Sequence, residues 1–307
     1  GADGTDVLSN RTPIGYTDDC RFGGEAVSFG IDSNDDGVLN PVEVEATIFE
    51  CDPPVVFSQS IVINESADTT ELNWLDKFCD GFNYLDGDLT LIWEDMGSIP
   101  ALDCLVEITG NLTIEATGIE SINGFANLDR VGGDFLIKGN ADLSDITAFD
   151  RLEHVSGRID ILSNEALTSL TGFEELKVTD VFLVSSSPLL ATLPRFDSLT
   201  HALTGIALLN TGVTSLDGFN VLTGTETLWF GANDQLTDIS GFNAIEELTA
   251  LAIGGNDALT AISGLEALST VEIIEIYSNN EGDCDTVFAD LIDRVESGDV
   301  ECNDGSL

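Results

Sequence analysis

"TLWFGANDQLTDISGFNAI" (residues 227–245) and "ALAIGGNDALTAISGLEAL" (residues 250–268) are one pattern written twice. It stands earlier in the chain as "RIDILSNEALTSLTGFEEL" (residues 158–176). The shared form is apolar-x-apolar-x-x-Asn-x-x-Leu-x-x-Ile-x-Gly-Phe-x-x-Leu. Self-similarity at a short fixed period marks a repeat architecture, in which each unit buries its apolar face against its neighbours. The second strand residue of each repeat falls at Leu91, Ile114, Ile137, Ile161, Val184, Leu208, Phe230, Ile253 and Ile276, spaced 22 to 24 residues apart. That is about nine coils.

Each coil opens with a period-2 stretch, such as Ile159-Asp160-Ile161, whose flanking residues point inward. Inward residues then recur at every third position: Leu143, Ile146, Phe149 and Leu152 in one coil, Leu236, Ile239, Phe242 and Ile245 in another. A three-residue step suits short extended or 3₁₀-like sides better than amphipathic helices. The predicted fold class is therefore mainly β, a right-handed parallel β-solenoid around one apolar column. Asn140, Asn164, Asn233, Asn256 and Asn279 recur in the turn after the strand, with Ser187 in that place in one coil. Asn tolerates left-handed geometry and its amide can bond neighbouring turns, so the ladder reads as part of the wall. The glycines at 124, 172, 218, 241 and 264 read as turn residues.

At "ITGNLTIEATGIESINGFANLDRVGGDFLIKGN" (residues 108–140) the chain resembles the receptor L-domain family, leucine-rich-repeat-like β-solenoids of receptor ectodomains and bacterial surface proteins. The resemblance runs from about residue 79 to residue 302. It implies a fold and a surface recognition role, and no particular ligand.

Upstream, "DSNDDGVLNPVE" (residues 32–43) fills a twelve-residue calcium loop of EF-hand type. Asp32, Asn34 and Asp36 take positions 1, 3 and 5, the Val38 carbonyl position 7, Asn40 position 9, and Glu43 the bidentate position 12. Gly37 makes the turn at position 6 and Leu39 is the apolar plug at position 8. The preceding "FGGEAVSFGI" looks like Gly-rich strand and not an entering helix, whereas Pro41 and "VEVEATIFEC" could begin an exiting helix. That context predicts a fixed structural calcium site and not an opening sensor.

The six cysteines fall in three local pairs, Cys20 with Cys51, Cys79 with Cys104, and Cys284 with Cys302. Sequence alone leaves other connectivities open. The placement favours these pairs, since one brackets the calcium loop and one stands at each end of the repeats. The pairs at 79/104 and 284/302 also match the disulfide-closed ends of the L-domain family. With no CxxC or Cys/His zinc spacing, disulfides in an oxidising compartment are expected. The predicted organisation is a small calcium-binding module (1–52), a linker opening at Pro53-Pro54 (53–78), and an L-domain-like solenoid with a C-terminal cap (79–307).

The chain carries 10 basic and 56 acidic residues, a formal net charge of −46. Such a surface repels nucleic acid and anionic lipid, attracts divalent cations, and stays soluble in saline media. No run approaches the roughly 18 apolar residues of a membrane span, so no direct membrane insertion is expected. The start at Gly1 suggests a mature fragment, and the expected location is secreted, extracellular or cell-surface.

No catalytic residue is nominated. His154 and His201 stand two coils apart, about 10 Å if they share a wall, too far for a common metal. No nucleophile elbow, zincin motif or phosphate-cradling loop occurs. A polysaccharide-acting β-helix enzyme is the remaining catalytic alternative, weakened by the scattered cations. The outward residues of the repeated strand include Leu162, Leu183, Leu209 and Trp229, with Leu136 and Tyr277 nearby. An exposed apolar stripe marks an interface, or else a face covered by another part of the chain. Two roles follow as expectations. One is calcium-dependent recognition or adhesion, with a protein or glycan partner held on the sheet face. The other is a structural subunit assembling with copies of itself into a filament, sheath or layer.

Overall fold

Leu91, Ile114, Ile137, Ile161, Val184, Leu208, Phe230, Ile253 and Ile276 stand opposite one another in a single parallel register. Each is at most 2% exposed. The computed structural model describes residues 7–17, 19–34, 36–65, 78–99, 102–277, 279 and 283–303. Residues 1–56 form one unit and residues 57–307 a second.

The second unit is a β-solenoid of about nine turns; the fold is mainly β, with 43% strand against 4% helix. Alternation builds its wall: in Arg158–Leu162, Ile159 and Ile161 are buried while the residues between and beside them are half-buried. A smaller parallel sheet of Ser121–Ile122, Asp145–Thr147 and Ser169–Thr171 forms another side. The three-residue sets at 143–152 and 236–245 are fully inward. Phenylalanines run up the interior, with Phe196 and Phe219 stacked at 4.5 Å and Phe219 and Phe242 at 4.9 Å.

Two turns differ from expectation. Left-handed backbone falls not on the ladder asparagines but one residue earlier, at Ser163, Ala232 and Gly255. The asparagine itself is thereby turned inward, where its amide bonds the wall. At the second corner the left-handed residue is mostly the buried aromatic or leucine, as at Phe125, Phe149, Phe242 and Leu265. The glycine before it is required for a different reason. A Cβ on Gly264 would overlap the Gly241 carbonyl, and one on Gly241 the Leu216 carbonyl, so close approach between coils selects glycine there.

The stretch expected to be a linker, 53–78, carries a solenoid strand. Ile61–Asn64 pairs in parallel with Leu89–Ile92, and Ile61 and Ile63 are buried. Phe57 packs edge-on against Phe78 and Phe82 at 5.9 and 5.2 Å. Burying these side chains is what draws the segment into the wall; residues 66–77 lie outside the described residues. At the far end, Glu296–Asn303 extends the sheet in parallel beside Thr270–Tyr277. The helix Ala289–Arg294 closes the column with Phe288 and Leu291 buried. The Arg294 guanidinium donates to the carbonyls of Leu265 (2.9 Å) and Leu268 (3.0 Å).

The first unit is a three-stranded antiparallel sheet of β1 (Val7–Ile14), β2 (Gly24–Ile31) and β3 (Val44–Cys51). Arg11 on β1 bridges Glu25 and Glu50 at 2.8 and 2.6 Å. The segment after the loop 32–43 is a strand and not a helix. Its β-branched and aromatic residues, Val44, Thr47, Ile48 and Phe49, pair along β2, and Pro41 is confined to a turn. Three disulfides join Cys20 to Cys51, Cys79 to Cys104 and Cys284 to Cys302.

Candidate functional site

Residues 32–43 connect β2 to β3 as a hairpin loop. Gly30 begins it at a register shift, where a Cβ would overlap the Glu43 carbonyl and crowd Leu39. Asp32 is buried and its two carboxylate oxygens accept the N–H groups of Asp36 (3.2 Å) and Gly37 (2.8 Å). Asn34 Oδ1 accepts the Asp36 N–H at 2.9 Å. Glu43 is buried too and closes the loop from its far end. One oxygen accepts the N–H and the hydroxyl of Ser33, and the other accepts the N–H and side-chain amide of Asn40. Those bonds, the Asn40 N–H first and the Ser33 hydroxyl next, hold the Glu43 carboxyl below the usual carboxylate range.

Three of the expected ligand atoms meet at Asn40, while Asp32 and Asn34 are engaged by backbone N–H groups. Asn40 Nδ2 donates to Asp36 Oδ2 (3.2 Å), the Val38 carbonyl (3.3 Å) and Glu43 Oε2 (3.1 Å). Three hard oxygens thus surround one polar hydrogen-bonding group, and a half-turn of that amide would present its own oxygen to the same point. Among the described residues no group of three or more His, Cys, Asp or Glu is arranged to hold a metal. The three acids of the expected set, Asp32, Asp36 and Glu43, are therefore not gathered as a metal cluster here. Ser33 was absent from the nominated set, since its place between two ligands carries no sequence signal.

Residues 7–51 match a family model described as a domain of unknown function (DUF7151). Its bounds coincide with the first residue of β1 and the last of β3, so the matched stretch is the three strands with their connecting loops. No curated protein and no solved structure matches the chain significantly.

The outward face of the solenoid sheet carries the second candidate. Leu183 and Trp229 lie in one column with Asp160, Ala207, Ala252 and Glu275. Leu162 and Leu209 lie in the neighbouring column with Ser185, Gly231, Gly254 and Tyr277. The expected single stripe is thus a zigzag across two columns, because Leu162 and Leu209 sit two residues further along their strands than the counterparts of Leu183 and Trp229. The three leucines are half-buried, whereas Trp229 and Tyr277 are 42% and 39% exposed. Trp229 Nε1 lies 3.3 Å from the Tyr277 hydroxyl, across Gly231 and Gly254. The two glycines carried no such signal in the sequence.

His154 and His201 share a column on the wall with Val178 between them. His154 stands beside Glu153, which also binds Lys177 at 2.7 Å. Burial, then the positive charge of Arg130, lowers the His154 pKa. The three disulfides mark an oxidising environment. Among the described residues no helix is long and apolar enough to cross a membrane.

Proposed function

We propose that the chain is a non-enzymatic, extracellular, calcium-binding recognition or adhesion protein that grips a protein or glycan partner through the outward face of its solenoid sheet. The observation that carries this reading is the exposed, hydrogen-bonded Trp229–Tyr277 pair on that face. Large aromatic side chains left in water on a regular sheet contribute binding area at low entropic cost. The resemblance of residues 79–302 to receptor L-domains points the same way, since that family uses its sheet face for recognition.

Calcium belongs to this reading through the loop 32–43. Asp32, Asn34, Asp36, the Val38 carbonyl, Asn40 and Glu43 would hold it, and the convergence of oxygens around Asn40 Nδ2 supports the fit. A bound divalent cation would supply a strong electrostatic tie across the hairpin. The chain's residues already pre-shape the loop, with Asp32 closing its first half and Glu43 joining Ser33 to Asn40.

Self-assembly is the second reading, favoured by one feature of the first unit. β3 is one of the two edge strands of its sheet, and Ile48 and Phe49 on it are 50% and 45% exposed. Apolar edge strands pair readily with further chains.

Size-exclusion chromatography with and without calcium, run beside protein-partner and glycan-array binding, separates the two. A monodisperse monomer whose ligand binding is lost in Trp229→Ala supports recognition. Calcium-dependent polymers that bind nothing else overturn it in favour of assembly.

A further inference from the structure

Trp229 and Tyr277 are placed by what lies beneath them. Tyr277 is in register with Gly254, which is in register with Gly231. A Cβ on Gly254 would collide with the Tyr277 ring, so that ring lies down on the sheet across the glycine and does not stand away from it. Trp229 reaches toward it from two strands away, a span of about 10 Å. Its Nε1 meets the Tyr277 hydroxyl at 3.3 Å. Two rings are thus laid over a floor of glycine and held by each other, with much of their surface open to water.

The surroundings are as informative as the rings. The outward neighbours in these coils include Ala207, Ala252, Thr227 and Ala250, all small and uncharged, while beyond them stand Glu275 and, on the next strand, Glu301 and Asp299. The same columns in earlier coils carry Asp160, Arg158, Lys138 and Glu115. A low platform, uncharged except for acids along its Tyr277 edge, therefore occurs in a chain of net charge −46. No Lys or Arg occurs between Arg195 and Arg294. An anionic ligand finds no counter-charge here and meets a repulsive field. A cationic partner would be drawn to the acidic surface at large, but two rings lying against the sheet do not enclose a cation as a cage does. A flat neutral ligand with apolar faces and hydroxyl edges matches what is present.

We infer that the Trp229–Tyr277 platform binds a neutral oligosaccharide, its sugar rings stacked on the two aromatic faces and its hydroxyls reaching the Glu275 carboxylate at the margin. This rests on the reading of the sheet face as a recognition surface and names its ligand class. The flat glycine and alanine floor admits a chain of sugar rings lying across successive coils.

The intact chain is titrated by calorimetry and Trp fluorescence with neutral cello-, chito-, manno- and malto-oligosaccharides. Polygalacturonate and a lysine polymer serve as charged comparators. Saturable binding of at least one neutral series is expected, weakened at least about tenfold in both Trp229→Ala and Tyr277→Ala. Gly254→Val, which displaces the Tyr277 ring without removing either aromatic, is expected to weaken binding too. Circular dichroism and thermal melting show whether each variant keeps its fold. Neutral sugars that fail to bind wild type overturn the proposal. If the lysine polymer or a protein partner binds instead and is lost in Trp229→Ala, the sugar claim falls while the sheet-face reading stands. Sugar binding that survives both aromatic truncations overturns both.

Discussion

Asn256 Oδ1 accepts two hydrogen bonds from Asn233, one from its backbone N–H at 3.1 Å and one from its side-chain amide at 3.2 Å. Asn233 in turn accepts from the N–H and hydroxyl of Thr211 and donates to the Leu208 carbonyl. Asn233 therefore ties together three successive coils, and it is 1% exposed. Replacing it with alanine leaves the Leu208 carbonyl and the Thr211 N–H buried without these partners. A loss of roughly 1–3 kcal/mol for each stranded group is expected for Asn233→Ala. Urea denaturation followed by far-ultraviolet circular dichroism measures it; an unchanged midpoint would refute the ladder's role.

The ladder is broken once. Thr117, Asn140 and Asn164 form one run and Thr211, Asn233, Asn256 and Asn279 another. Between them stands Ser187, whose hydroxyl is buried without a hydrogen-bond partner. Serine is too short to reach both neighbouring rungs. Ser187→Asn is expected to join the runs and raise stability by about 1 kcal/mol, read as a higher urea midpoint.

Calcium titrated into the chelator-treated protein should bind at the loop 32–43 and raise the melting temperature of the wild type. At a hundredfold excess over the dissociation constant the linkage amounts to about 2.7 kcal/mol. Glu43→Gln removes the bidentate carboxylate and should abolish the calcium-dependent part of the shift. A melt indifferent to chelation in both proteins would dismiss the structural calcium site.

His154 predicts a pH dependence with a definite sign. Burial, first, and Arg130, second, lower its pKa from the ordinary value of 6.5, against the opposing pull of Glu153 and Asp129. The folded state thus binds the proton less well than the unfolded chain. The histidine's contribution is fully present above pH 6.5 and is lost as the pH falls through its lower folded value. Melting temperature should therefore fall on acidification across that window, and His154→Gln should flatten the slope. An equal slope in the two proteins would remove His154 from the account.

The repeat was open to reading because solenoid packing forces it on the chain. Leu91 through Ile276 all meet the same inward environment, so the same residue class returns every 22 to 24 positions. Ile61–Asn64 escaped because Ile63 lies 28 residues before its register partner Leu91, outside that period. The strand after the loop 32–43 departs from the sequence expectation for another reason. Pro41 followed by acidic residues and alanine resembles a helix start, and only pairing of Val44–Cys51 with β2 decides for strand. The loop 32–43 stands out in the sequence because its residue types fall at the twelve-position spacing that cation ligation would need.

The sequence by itself determined the solenoid, its inward column and its asparagine rungs. Each is a periodic requirement that every coil must meet alone. Only the tertiary structure decided which outward residues become neighbours. Leu183 and Trp229 stand in one column and Leu162 and Leu209 in the next, while Tyr277 reclines over Gly254 to meet Trp229. Those neighbours lie 23 or more residues apart in sequence, and the register between coils brings them together. The physical reason is that outward positions are free of the packing constraint that repeats the inward ones, so no period announces them.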